Sequence, residues 1–239
     1  MDYTNMSAYY DVIMTSGYYD YQGIVDGLMA HQPVNSLLEI GCGTGLILEE
    51  FAKRQPNVPI TGVDLTQAML DIAKPRLQAY PQIKLSQENV VTFDLKQQFD
   101  LTFSYGGVWY FVIDGDKEPF LVSHIPGDEH NQQGLEKLSM HVKSGGLLLL
   151  GIQGPHHDYE RTISNGMVYS QKIHPAPNGF IKDYFLNDGA KTVMAQTVHY
   201  RTYDFAQSQQ MLSSYGFEYQ PHASSNNKFL TFKKRWLRS

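Results

Sequence analysis

Cysteine is almost missing from this chain. Its 239 residues hold one, Cys42, which excludes an internal disulfide framework and any zinc centre built on several thiolates. Long apolar runs are missing too. A membrane-spanning helix needs about 18 to 20 apolar residues, and the leucine run at 147–150 falls far short. Nor is there an excess of positive charge: 19 basic residues against 24 acidic ones give a net charge of −5, the wrong sign for a phosphate backbone. The one basic cluster, Lys233-Lys234-Arg235 with Arg238, reads as a solvated tail. The stretch Met1-Asp2-Tyr3-Thr4 lacks the charged and apolar regions of a signal peptide. A soluble, cytoplasmic protein with no membrane or nucleic-acid partner is therefore expected. Tyrosine, by contrast, is abundant, with 16 residues, and Tyr3, Tyr9, Tyr10, Tyr18, Tyr19 and Tyr21 crowd the N-terminal end.

From residue 36 the chain alternates strand and helix signals. Residues 6–30 read as helix, 36–40 as a first apolar strand and 46–53 as a helix broken by Pro56 and Pro59. Strands follow at 60–64, 83–87 and 100–104, with a helix over 66–78 between the first two and Thr66 as its expected N-cap. A helix over 129–143 is expected to stop at Gly145-Gly146, before an apolar strand over 147–153. This rhythm predicts a parallel sheet with helices on both faces. After Gly154 it changes. Strands at 166–174, 179–187 and 190–203 are joined by the turn signals Pro175-Ala176-Pro177-Asn178-Gly179 and Asn187-Asp188-Gly189. A helix over 205–215 and two closing strands, 217–222 and 228–233, end the chain. The expected organisation is one α/β domain. Residues 1–30 form a helical cap, 31–154 a core, 155–203 an antiparallel lid and 204–239 the last helix and strands of the core.

The segment Leu37-Leu38-Glu39-Ile40-Gly41-Cys42-Gly43-Thr44-Gly45 follows a strand and opens a helix. Glycines there let the backbone turn tightly and let a ligand approach main-chain N–H groups. The dinucleotide fingerprint G-x-G-x-x-G is not met: Gly41 and Gly43 fit, but Leu46 stands at the third glycine position and Gly45 comes one residue early. Glu39, just before the loop, would repel a pyrophosphate and suits a cation. A second acid, Asp64, ends the next strand about 20 residues on, where a carboxylate can accept from both ribose hydroxyls.

These residues resemble the glycine-rich motif of the class I S-adenosylmethionine-dependent methyltransferases. The resemblance implies a Rossmann-like, mostly parallel seven-stranded sheet flanked by helices, with a small antiparallel lid insertion. It also implies S-adenosyl-L-methionine as cofactor and S-adenosyl-L-homocysteine as product. Glu39 then lies near the cofactor's ammonium group, with the backbone of Gly41, Cys42, Gly43 and Gly45 against the cofactor. Asp64 binds the ribose, Leu65 lies beside the adenine, and Met69 lies one helical turn on. In Gln87-Glu88-Asn89-Val90, Asn89 stands in the adenine-binding acid's slot, with Glu88 the alternative by a one-residue slip and Val90 next to the ring. This slot is usually acidic, and an amide there is a departure. Ser104, Tyr105 and Gly106, ending the fourth strand, should face the methyl end, with Trp109 and Tyr110 just beyond as acceptor-binding residues. The Asn/Asp-Pro-Pro-aromatic motif of nucleic-acid adenine methyltransferases is not found at this place. With the negative charge, that points to a small-molecule acceptor. The layout after the fifth strand is similar to the lid of N-methyltransferases acting on amino sugars and glycine-type amines, and nitrogen is expected slightly ahead of oxygen.

A neutral amine acceptor needs no strong base, whereas a hydroxyl usually does. His124, His156 and His157 are the candidate bases; the last two sit where the lid begins, and His124 is placed with Trp109 and Tyr110 among the substrate-binding residues. Tyr9, Tyr18 and Tyr19 are expected to line the transfer site, since aromatic faces suit a sulfonium. Tyr19 is placed with the catalytic residues. Asp114 and Asp116 could be offered as metal ligands but read as a solvated loop. An exposed lid sheet would suit a homodimer. The alternatives carried are a cofactor-binding paralogue without activity, working as a partner subunit, and a nicotinamide oxidoreductase, disfavoured by Glu39 and Leu46.

Overall fold

The structure, a computed structural model, describes residues 3–31, 33–221 and 228–236. The expected strand end at His222 and the basic-cluster residue Arg238 lie outside the described residues.

The N-terminal segment forms two helices, not one: α1 (Thr4–Thr15) and α2 (Tyr21–Met29). Gly17, at φ +84°, breaks the run, and the Asp20 carboxylate caps α2 by accepting from the Gly23 N–H at 3.0 Å. The alternating core follows as β1 (Leu37–Ile40), α3 (Leu46–Arg54), β2 (Ile60–Asp64), α4 (Gln67–Leu77), β3 (Ile83–Gln87) and β4 (Phe99–Ser104). Next come β5 (Trp109–Val112), β6 (Phe120–Ser123), α5 (Asp128–His141) and β7 (Val142–Gln153). The lid holds β8 (Tyr159–Thr162), β9 (Val168–Ala176), β10 (Gly179–Asp188) and β11 (Lys191–Tyr203); α6 (Phe205–Ser214), β12 (Phe217–Tyr219) and β13 (Phe229–Lys234) close the chain.

Strands β3-β2-β1-β4-β7 are parallel, β13 runs antiparallel against β7, and β12 pairs antiparallel with β13. This is the expected mostly parallel seven-stranded sheet. Its interior strands are buried along their length, as in β1 (Leu37, Leu38, Glu39, Ile40), because helices cover both faces.

Two further features depart from the sequence reading. Gly145-Gly146 does not end a helix. α5 stops at His141, and both glycines lie inside β7. A Cβ at Gly146 would sit 2.9–3.2 Å from the carbonyl oxygens of Lys143, Asp100 and Phe99, so the pair serves close strand approach beside the register shift in β4. Two strands not foreseen in the sequence, β5 and β6, follow β4: β5 pairs in parallel with the end of β7 and antiparallel with β6, and β6 pairs with β11. The lid is thus the outer part of a wing built on the core sheet, in the order β7-β5-β6-β11-β10-β9-β8.

Candidate functional site

The C-terminal ends of β1, β2, β3 and β4 face the wing across a cavity of about 400 Å³. Gly41, Gly43, Asp64, Leu65, Met69, Glu88, Asn89, Val90, Gly106 and Gly107 line one end. Tyr3, Tyr10, Tyr18, Tyr19, Tyr110, Tyr169, Tyr184 and Tyr200 line the other, with His124, Gln153 and Lys182.

The first end is organised by Asp64. Its Oδ2 accepts from the Gly43 N–H and its Oδ1 from the Thr66 N–H, both at 2.8 Å. One carboxylate thereby fixes the loops after β1 and β2 and keeps further lone pairs for a ligand. The N–H groups of Gly41 and Cys42 are spent on the Val63 carbonyl at 2.8 and 3.0 Å. Glycine is required where β1 and β4 end side by side: a Cβ at Gly107 would lie 2.8 Å from the Ile40 oxygen and 3.1 Å from the Gly41 oxygen. The Asn89 Oδ1 accepts from the Val91 N–H at 3.0 Å, and Glu88 Oε1 accepts from Ser86 at 2.8 Å.

Glu39 is the next-to-last residue of β1, 2% exposed, and lies behind the cavity wall just before the lining residues Ile40 and Gly41. Its Oε2 has no hydrogen-bond partner. Burial, and then the charge of Asp64, push its carboxyl well above the usual range.

Helix α1 is latched over this end. The Asp11 carboxylate accepts from Thr44 Oγ1 at 2.6 Å and pairs with Arg76, whose Nε donates to the Thr44 carbonyl at 3.0 Å. The Tyr3 N–H donates to Thr66 Oγ1 at 3.0 Å. A partly exposed ion pair contributes under about 1 kcal/mol. Asp11→Ala should therefore weaken a ligand held under α1 by roughly two- to fivefold. Hydrogen exchange should show α1 opening faster while the core amides are unchanged.

At the other end a hydroxyl network runs along the wall. Tyr3 Oη contacts His124 Nδ1 at 3.1 Å and Tyr200 Oη at 3.5 Å, and Tyr184 and Tyr200 hydroxyls are 2.7 Å apart. Gln153 Nε2 donates to Tyr19 Oη at 3.0 Å. Burial pushes the phenols of Tyr18, Tyr19, Tyr110, Tyr184 and Tyr200 up, so they act as neutral hydrogen-bonding groups. Burial, and then the Lys182 charge, pull His124 down to about 3. Lys182, buried on β10, is pulled down by burial to about 7.

Several sequence-derived candidates lie away from the cavity wall. Trp109 is fully enclosed on β5, its indole N–H donating to Asn131 Oδ1 at 2.8 Å; its size is spent on packing. Ser104 is buried behind Gly107, its Oγ accepting from the Trp109 N–H at 3.4 Å. The Tyr105 ring turns to Gly151, Phe229 and Tyr19, and its hydroxyl donates to the Ile152 carbonyl at 3.3 Å. Cys42 is buried among core side chains, and Gly45 is the N-cap of α3, backed against Leu77. Tyr9 packs with the partly buried side chains around the lid cluster, without reaching the wall. His157 is exposed beside the Pro155 carbonyl. His156 packs between Tyr110 and Phe180, its Nδ1 without a hydrogen-bond partner. Asp114 pairs with Lys117 at 2.5 Å. Among the described residues no group of three or more His, Cys, Asp or Glu could hold a metal ion, and no helix is long and apolar enough to cross a membrane.

His156, like His124, is pulled to about 3, first by burial. An unfolded histidine titrates near 6.5, so the unfolded state binds more protons between these values. The stability each neutral ring contributes is full above about pH 6.5 and is lost as pH falls through that window. His156→Phe should therefore show a smaller drop in Tm between pH 6.5 and 4 than the unaltered protein, measured by calorimetry across the series.

Sequence reasoning missed Lys182, Tyr10, Tyr169, Tyr184, Tyr200, Gln153 and Gly107. The signal for Lys182 was present: along β10, Phe180, Lys182, Tyr184 and Leu186 alternate onto one face, and a lysine on an aromatic face is out of place.

Residues 37–146 match the family described as a methyltransferase domain. Malonyl-[acyl-carrier protein] O-methyltransferase 1 of Ilyobacter polytropus is 36% identical over 69 residues, 29% of this chain. The chain spans about a quarter of that relative's length, 26%. A solved S-adenosylmethionine-dependent methyltransferase from Clostridium acetobutylicum superposes with TM-score 0.69 at 16% identity, covering 97% of this chain and 98% of that one. CalS10, an amino pentose methyltransferase from Micromonospora echinaspora, gives TM-score 0.68 at 17% identity, covering 94% and 96%.

Proposed function

We infer from the methyltransferase domain of residues 37–146 and from the fold that this chain is a class I S-adenosylmethionine-dependent methyltransferase, and we propose that it acts on a small molecule held against the tyrosine wall. The observation that carries the reading is a single cavity with two chemically different ends. Backbone turns and the acids Asp64 and Glu88 line one; phenols, His124 and Lys182 line the other.

The residues present suit the cofactor. An unpartnered buried carboxylate oxygen on Glu39 fits an ammonium group, which it would both pair with and hydrogen-bond. Asp64, already oriented by two backbone donors, fits a ribose diol, and Leu65 and Val90 offer apolar contact to a base. Asn89, with one carbonyl lone pair engaged by Val91, keeps its second and its amide N–H groups.

When bound, S-adenosylmethionine supplies a methyl group on a sulfonium that is already a good leaving group. The protein's own work is to hold the acceptor in line and exclude water, and orientation of this kind supplies much of the acceleration. Tyr18, Tyr19 and Tyr110 present aromatic faces and neutral hydroxyls, with Tyr19 fixed by Gln153. Oxygen is favoured over nitrogen as the acceptor atom by one observation. Among the described residues the acceptor end carries a lysine and no carboxylate, so an acceptor arriving as an ammonium would meet a like charge when Lys182 is protonated.

Calorimetric titration of the full chain with S-adenosylmethionine, S-adenosylhomocysteine and NADH tests the cofactor. Micromolar binding of the two adenosyl ligands without NADH binding is expected. A screen of carboxylic acids, phenols and amines for homocysteine-product release then tests the acceptor. Turnover of amines alone would overturn the preference for oxygen, and failure of both adenosyl ligands to bind would overturn the whole reading.

A further inference from the structure

The acceptor end contains a buried amine, Lys182, that no acidic group among the described residues balances. Lys182 is 2% exposed, lies on the cavity wall and is enclosed by rings, its ammonium 5.7 Å from the centre of Tyr184 and 5.8 Å from that of Tyr200. Its Nζ has neither a hydrogen bond nor an ion pair among the described residues. The neighbouring strand position, Asp183, faces away and is engaged by His174 at 2.9 Å and Thr197 at 2.5 Å. A buried lysine without a partner is destabilising, and an apolar residue would continue the face of β10 set by Phe180, Tyr184 and Leu186. Aromatic faces offset only part of the lost hydration.

We propose that Lys182 is the anchor for a single carboxylate on the methyl acceptor, which places the substrates of this enzyme among monoanionic organic acids with an aromatic or apolar body. This rests on the methyltransferase reading and narrows its acceptor class. The charge count sets the valence. His124 beside Lys182 is neutral and the surrounding tyrosines are protonated, so among the described residues around it Lys182, once protonated, offers one positive charge. One carboxylate neutralises it, whereas a phosphate dianion would leave a buried negative charge. The rings of Tyr110, Tyr169 and Tyr184 supply apolar contact for the rest of the molecule. Pairing also fixes a proton. Burial holds Lys182 near 7 without a partner, and a carboxylate beside it favours the charged form. The titratable groups around it are Tyr184 on its own strand, Tyr200 on β11, Tyr169 on β9, Tyr110 on β5, Tyr3 just before α1 and His124 after β6, with His156 after β7 behind the wall but within reach of its charge. Among these only Lys182 is poised to change charge near pH 8.

The test uses the full chain saturated with S-adenosylhomocysteine, titrated calorimetrically with 3-phenylpropanoate, 3-phenylpropanamide and 3-phenylpropylamine. The measurement is made at pH 8 in two buffers of different ionisation enthalpy. The carboxylate should bind at least about tenfold tighter than the amide or the amine, the worth of one charge-assisted contact, and should take up close to one proton per site. Lys182→Met should lose both the preference and the uptake while retaining affinity for S-adenosylhomocysteine. Equal binding of carboxylate and amide, tighter binding of the amine, no saturable binding of the carboxylate, or an unchanged preference in Lys182→Met each overturns the proposal. If Lys182→Met does not fold, absence of proton uptake in the unaltered protein overturns it and uptake supports it. S-adenosylhomocysteine that fails to bind the unaltered protein overturns the methyltransferase reading instead, and this inference with it.

Discussion

Asp64→Ala should weaken binding of S-adenosylmethionine roughly ten- to a hundredfold, the loss of about 1.5–3 kcal/mol that hydrogen bonds to a charged group supply. The effect has two parts. The ligand loses its carboxylate acceptor, and the N–H groups of Gly43 and Thr66 lose the oxygens that hold the two loops in register. Asp64→Asn separates them poorly but informatively. Its amide keeps one acceptor, and its NH2 must then face either the Gly43 or the Thr66 donor, so it too should bind weakly. Calorimetry measures the affinity, and a thermal melt without ligand measures the loop's share. If affinity were unchanged in Asp64→Ala, the carboxylate would be a loop brace alone and the cofactor would have to sit elsewhere. The free protein should melt only slightly lower, because Asp64 itself is costly. Burial raises its carboxyl above the usual range in spite of the donors around it.

The cofactor end was legible in the sequence because it is made of short local segments. Gly41, Gly43, Asp64 and Leu65 each end or follow a strand whose apolar character is plain, and their geometry is fixed within a few residues. The wing was half legible. Its hairpin strands were announced by turn residues around 175–179 and 187–189. Short, all-apolar β5 carries no alternation, and its Trp109 was read as a cavity residue when its indole N–H is held by Asn131. The acceptor wall was the least legible part. Lys182, Tyr169 and Tyr200 meet there only because β9, β10 and β11 pair in one register, Tyr200 opposite Phe180 and Tyr169 opposite Leu186. No local signal states that register. Gly145-Gly146 misled for the opposite reason: a strong local stop signal was overridden by the approach of β7 to the backbone of β4.

Glu39→Leu should make the free protein more stable and a poorer binder, the pairing of effects expected where a site is maintained at the expense of the fold. The carboxylate lies in the buried row of β1, among Leu37, Leu38 and Ile40, with one oxygen unpartnered. Removing it relieves the desolvation of an unsatisfied buried group, about 1–3 kcal/mol. The pH dependence identifies the cause. Because the folded carboxyl titrates well above its unfolded value, the folded state binds the extra proton, and the unaltered protein loses stability as pH rises from the ordinary glutamate range through the folded value. The stability difference between Glu39→Leu and the unaltered protein should therefore widen with rising pH across that window and then level off. Titrating S-adenosylmethionine into both proteins should reverse the order, because its ammonium group pairs with Glu39 and has no partner in the leucine variant. Affinity should fall by about tenfold or more. Glu39→Gln, which keeps shape without charge, should lose most of the affinity, which would assign the loss to charge rather than to packing. A leucine variant that melts lower and binds as well would show that Glu39 serves the fold and leaves the ammonium to another group.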